Sequence, residues 1–99
     1  MAEHLRNDVV LESINGIHVL IALKSAWDDC PFMLQITPFT AYLWDTIQSG
    51  MTKEEIVKKG TLIFKYDKSL MEKKYSSFLH TARKMKYIID EDKSDDQYA

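Results

Sequence analysis

Three histidines, one cysteine and two internal carboxylate pairs are the residues of this 99-residue chain whose types most readily do catalytic or metal chemistry. His4, His18 and His80 fall on three separate segments, with no metal-ligand spacing to one another or to Cys30. Cys30 follows Asp28 and Asp29, and an acidic setting disfavours the thiolate and makes a poor nucleophile. Asp28-Asp29 sits in an expected loop. Glu54-Glu55 opens an expected helix, where the helix dipole favours negative charge. The three glycines are scattered, so no phosphate-cradling loop is present. The residue types therefore point away from an enzyme: no catalytic residue, no metal and no cofactor are expected.

What remains is recognition, and the charge pattern is its first mark. The net charge is −2, but residues 65–86 hold seven basic side chains against two acidic ones. Asp90, Glu91, Asp92, Asp95 and Asp96 follow, against Lys93 alone. Such a pattern reads either as a solvated helix face with a solubilising tail or as a basic face for an acidic partner, which the tail would screen by folding back. The chain is 45% hydrophobic, enough for one small core. A single cysteine excludes an intramolecular disulfide and fits a reducing compartment. The longest aliphatic run, residues 19–23, is too short to span a bilayer, and the first residues carry no secretory apolar segment. A cytoplasmic domain without membrane contact is expected.

The elements that must position a recognition surface follow from local patterns. Residues 1–7 read as a flexible arm. Residues 9–14 and 17–23 are strand-like and flank Asn15-Gly16, a dipeptide suited to a type I′ hairpin turn. Residues 24–31 read as a loop, and residues 32–36 as a third strand with Phe32, Leu34 and Ile36 on one face and Met33 and Gln35 on the other. Thr37-Pro38 ends that strand and opens a helix bearing Phe39, Leu43, Trp44 and Ile47, closed by Gly50. Thr52 and Glu55 form a capping box for a second helix, which Gly60 should make short or irregular. Ser69 and Glu72 offer another box for a third, longest helix, striped by Met71, Tyr75, Phe78, Leu79, Ala82 and Met85. Residues 87–89 leave it extended, and residues 90–99 are expected to be a disordered acidic tail. The order is that of an α+β, winged helix-turn-helix-like domain over residues 8–89: a three-stranded antiparallel sheet followed by three helices.

Residues 36–47 (ITPFTAYLWDTI) resemble a segment of the PqqD-like proteins, the peptide chaperones of pyrroloquinoline quinone biosynthesis and their relatives. Residues 50–57 (GMTKEEIV) resemble the family's following capped helix. Residues 69–86, with Phe78 and Leu79 leading into Tyr87-Ile88, resemble its closing helix. The likeness spans residues 9–89. It departs at Pro38 and Phe39, at residues 58–66, and at Lys86-Tyr87, where a glycine is common in the family.

The resemblance implies a recognition element for ribosomally made, modified peptides. It implies that the leader of a precursor peptide adds as a strand to the edge of the third strand and lies in a groove against the third helix. The domain would then present it to a modifying enzyme, such as a radical S-adenosylmethionine enzyme, or to a leader protease. The third strand supplies Phe32, Met33, Leu34, Gln35 and Ile36 for such pairing, and no proline interrupts them. On the third helix, Lys74, Phe78, Thr81 and Met85 lie along the border of the apolar stripe, where a side chain touches both core and ligand. Lys74 and Lys84 would meet leader carboxylates. Leu43 and Trp44 are expected in the core.

Two other readings stand beside this one. A winged-helix nucleic-acid-binding protein would use the basic third helix for recognition. The acidic pI of about 5.9 and the acidic tail weigh against it, and no nucleic acid is expected. A dimerising adaptor would pair its third strand with its own copy. A monomer or weak homodimer is expected.

Overall fold

A computed structural model describes residues 4–89 of the chain. The element order is β1 (His4–Leu5), β2 (Val9–Ile14), β3 (Ile17–Ala22), β4 (Met33–Ile36), α1 (Pro38–Gln48), α2 (Lys53–Phe64), α3 (Lys68–Lys84) and β5 (Ile88–Ile89). Strands β2, β3 and β4 form the expected antiparallel sheet in that spatial order, and the three helices follow it.

The β2–β3 hairpin is set by Asn15 and Gly16, with φ of 53° and 80°, the two positive values a type I′ turn requires. That two-residue turn pairs Ile14 with Ile17 and carries the register through to Val9 and Ala22. Val9, Leu20 and Ala22 thereby share the buried face. A short 3-10 turn at Lys24–Ala26 then returns the chain to β4. Ala26 is fully buried, and the Trp27 indole N–H donates to the Ala22 carbonyl at 2.9 Å.

Each helix begins with a side chain that satisfies its free N–H groups. Thr37 caps α1 and Pro38 occupies its first turn. Thr52 and Glu55 cap α2 reciprocally, at 3.2 and 2.9 Å. α3 starts earlier than Ser69: the Asp67 carboxylate accepts from the Leu70 N–H at 2.7 Å. A carboxylate makes the stronger, charge-assisted cap.

Two further expectations are corrected. α2 is regular over twelve residues despite Gly60. There the glycine is a close approach and not a break: a methyl group would lie 2.9 Å from Met71 Sδ and nearer still to Cε. Residues 4–6 are part of the body. His4 and Leu5 pair with Ile89 and Ile88, and the Arg6 N–H donates to the Tyr87 carbonyl. The α3 stop is made by Lys86 in the left-handed region, φ 65°, where the family resemblance has a glycine. Residues 90–99, the expected tail, lie outside the described residues.

Trp44, at the centre of α1, is fully buried and meets Tyr87 edge to face. Leu5, Val9, Leu20, Ala22, Ala26, Cys30 and Ala82 close around it. The core thus joins sheet, α1 and the end of α3. Ile56, Val57 and Met71 fill a second packed region between α2 and α3.

Candidate functional site

β4 is an edge strand, and its backbone alternates. The Ala22 N–H donates to Phe32 O at 2.9 Å, and the register pairs Leu20 with Leu34 and His18 with Ile36. Hydrogen-bonded pairs alternate with non-bonded ones in an antiparallel ladder. Phe32, Leu34 and Ile36 therefore turn their N–H and C=O groups to β3. Met33 and Gln35, opposite Ile21 and Val19, turn theirs outward to an edge with no partner strand among the described residues.

Beside that edge runs a groove of about 370 Å³ between the sheet and α3. Its floor is Leu20, Leu34, Ile36 and Leu43, and its α3 wall is Lys74, Ser77, Phe78, Thr81 and Met85. Phe39 and Thr40, at the start of α1, close one end, and Tyr87 closes the other. The lining is aliphatic, aromatic or hydroxylic apart from Lys74.

The structure brings together six of the residues singled out from sequence: Leu34, Ile36, Lys74, Phe78, Thr81 and Met85. Met33 and Gln35 project to the opposite face of the sheet, as period-two alternation requires. Phe32 stands exposed before β4, its ring edge-on to Trp27 at 5.7 Å. Lys84 is exposed and outside the groove lining. The basic residues of 65–86 do not share one face. Lys74 turns toward the groove, Lys86 Nζ lies 4.0 Å from Asp29, and Lys73, Arg83 and Lys84 are exposed.

Sequence reasoning missed Phe39, Thr40, Ser77 and Tyr87 as groove residues. Ser77 was detectable, since it lies one helical turn from both Lys74 and Thr81. Phe39 was not: it packs in a ring cluster with Tyr42 of its own helix and with Phe64 and Tyr66, brought in from α2 and the turn beyond it. Leu43 and Trp44 are buried as expected, although Leu43 also floors the groove.

A polar clasp lies beside Tyr87, which closes one end of the groove. Arg6 Nε holds Asp8 at 2.7 Å, and its Nη1 reaches Asp29 at 3.2 Å and the Lys86 carbonyl at 3.1 Å. The Arg6 hydrogen bond is the main reason the Asp8 carboxyl is lowered to about 2. Cys30 is buried against this clasp, and burial pushes its thiol up, away from nucleophile chemistry. Among the described residues no three His, Cys, Asp or Glu side chains group as a metal site. None of the described helices is long and apolar enough to cross a membrane.

The same fold occurs in two solved structures. One is described as TbiB1 in complex with the TbiA(beta) leader peptide. It superposes with a TM-score of 0.70 over 86% of this chain and 93% of that one, at 19% identity. The other is a lasso peptide synthetase B1 complexed with the leader peptide, with a TM-score of 0.73 over 91% of this chain and all of that one, at 11% identity. No family model matches the chain, and no curated protein matches its sequence. The three-stranded sheet followed by three helices is thus a fold shared with these leader-bound proteins.

Proposed function

We propose that the chain is a non-catalytic binding module for the leader of a ribosomally synthesised precursor peptide. The leader adds as a strand to the outer edge of β4 and lays alternate side chains into the groove against α3. The module then presents the peptide to a maturation enzyme, such as a radical S-adenosylmethionine enzyme or a leader protease.

One observation carries this reading: a strand edge with no partner strand among the described residues and an apolar groove lie side by side, so one extended peptide engages both. Met33 and Gln35 supply the main-chain groups. Leu34, Ile36, Phe78, Thr81 and Met85 receive side chains, and Met85 supplies an adaptable surface. Phe32 extends the apolar contact beyond one end of β4, and Lys74 and Lys84 attract acidic leader residues. Two proteins of the same fold being described with leader peptides bound supports the reading.

The test is a titration of ¹⁵N-labelled protein with the leader of a short peptide encoded beside its gene. Amide shifts concentrated in β4 and along α3 from Lys74 to Met85 are expected. Their absence at about 1 mM peptide, far above the micromolar range of a specific binder, overturns the proposal.

A further inference from the structure

Among the described residues, Lys74 is the one charged side chain in the groove lining. Its Nζ lies 5.2 Å from the centre of the Tyr66 ring and 5.5 Å from that of Phe39. Those two rings touch each other at 5.7 Å and pack on Phe64, so they fix where the ammonium group sits. Among the described residues no carboxylate pairs with it. Ring faces attract the cation but accept its N–H donors only weakly, so a partly desolvated charge keeps its capacity for a strong acceptor. We propose that this end of the groove is an acid-selecting subsite, in which Lys74 receives an Asp or Glu side chain of the bound peptide. This rests on the strand-addition reading and adds to it a defined seat for one acidic residue and its spacing from the apolar one.

The spacing follows from the geometry. Cys30 precedes β4 and its Sγ lies 3.6 Å from the Met85 carbonyl, whereas Phe39 follows β4 and lies against Lys74. β4 and α3 therefore run in opposite directions along the groove. From Lys74 to Met85 the helix advances about 16 Å at 1.5 Å per residue, which an added strand covers in about five residues. Only alternate side chains face the groove. The acidic residue thus falls four or six positions from the apolar residue seated on Met85. In a strand antiparallel to β4 the acidic residue comes first.

The probe is a displayed library of random twelve-residue peptides, selected on the full chain. Wild type should enrich Asp or Glu four or six positions before an aliphatic or aromatic residue. Lys74→Glu should instead enrich Lys or Arg at that spacing. For one selected peptide, replacing Glu by Gln should weaken binding to wild type about three- to tenfold at low salt. The same replacement should be near neutral against Lys74→Gln, which keeps the experiment readable if the charge reversal does not fold. Peptides that shift β4 and α3 amides yet show no acid at this spacing overturn the subsite while leaving strand addition intact. An unchanged preference in Lys74→Glu overturns it equally. If no selected peptide shifts β4, strand addition fails and the subsite falls with it.

Discussion

Proline at Gln35 should weaken peptide binding about thirtyfold in a domain that keeps its stability, whereas proline one residue earlier should strongly destabilise the fold. The difference lies in the ladder. The Gln35 N–H faces the open edge, so its removal costs no bond to β3, and Leu34 before it is already in the extended conformation a following proline demands. The Leu34 N–H faces Leu20, and its loss strands a carbonyl inside the sheet. For Gln35→Pro the incoming strand loses one hydrogen bond and leaves its own carbonyl against a ring. Together these cost about 2 kcal/mol, or roughly thirtyfold in affinity. For Leu34→Pro the broken ladder bond and the lost packing of a half-buried leucine amount to about 3 kcal/mol, a large share of a small domain's stability. Hydrogen exchange supplies the assay. In the free protein the Met33 and Gln35 amides should exchange fast and those of Leu34 and Ile36 slowly, and peptide should protect the first pair. A slow Gln35 amide in the free protein, or wild-type affinity in folded Gln35→Pro, would refute the edge assignment.

Gly60→Ala should destabilise by about 1 kcal/mol, because overpacking against the Met71 thioether outweighs the gain in helix propensity. Combined with Met71→Val it should cost less than the sum of the two changes, and strict additivity in urea unfolding would reject the contact. The Asp8 carboxyl, held near 2 by Arg6, contributes stability that is full above about pH 4 and is lost as the pH falls toward 2. Screened by solvent, that contribution is about 1 kcal/mol. Unfolding curves of wild type and Asp8→Asn should converge through that window, and parallel curves would contradict the clasp. The Tyr87 hydroxyl is buried without a partner among the described residues, so Tyr87→Phe should raise stability by about 1 kcal/mol. A lower melting temperature would show that the hydroxyl is satisfied.

The elements were legible where local chemistry decides them. Asn15-Gly16 sets a hairpin with any neighbours, and Thr52 with Glu55 starts a helix on its own. Gly60 misled because its cost in an isolated helix is real, while its benefit is the room it leaves for Met71 on another helix. The arm misled for the same reason: besides its neighbour Asp8, Arg6 is tied to Asp29 and Lys86, far along the chain. Half of the groove was readable as the border of one amphipathic helix. The end closed by Phe39 was not, since nothing local states that Tyr66, a residue beyond α2, packs on the first turn of α1 behind it.

The edge itself sets a limit on what the groove must do. β4 has four residues, and only Met33 and Gln35 face outward, so an added strand gains at most about four main-chain hydrogen bonds. At about 1 kcal/mol each these give about 4 kcal/mol before any ordering cost, which corresponds to millimolar binding and no sequence preference. Such a short edge, with prolines at 31 and 38 on either side, is also poorly suited to runaway pairing between copies. Micromolar recognition therefore has to draw a comparable amount from side chains. About 160 Å² of apolar surface withdrawn into the groove supplies the missing 4 kcal/mol at 25 cal/mol per Å², and ordering the peptide raises that requirement. Removing groove surface should therefore cost more affinity than removing one edge bond. Phe78→Ala should weaken a bound leader more than Gln35→Pro does, provided circular dichroism shows the variant folded. If the two rank the other way, the backbone edge dominates and the groove is only its shoulder.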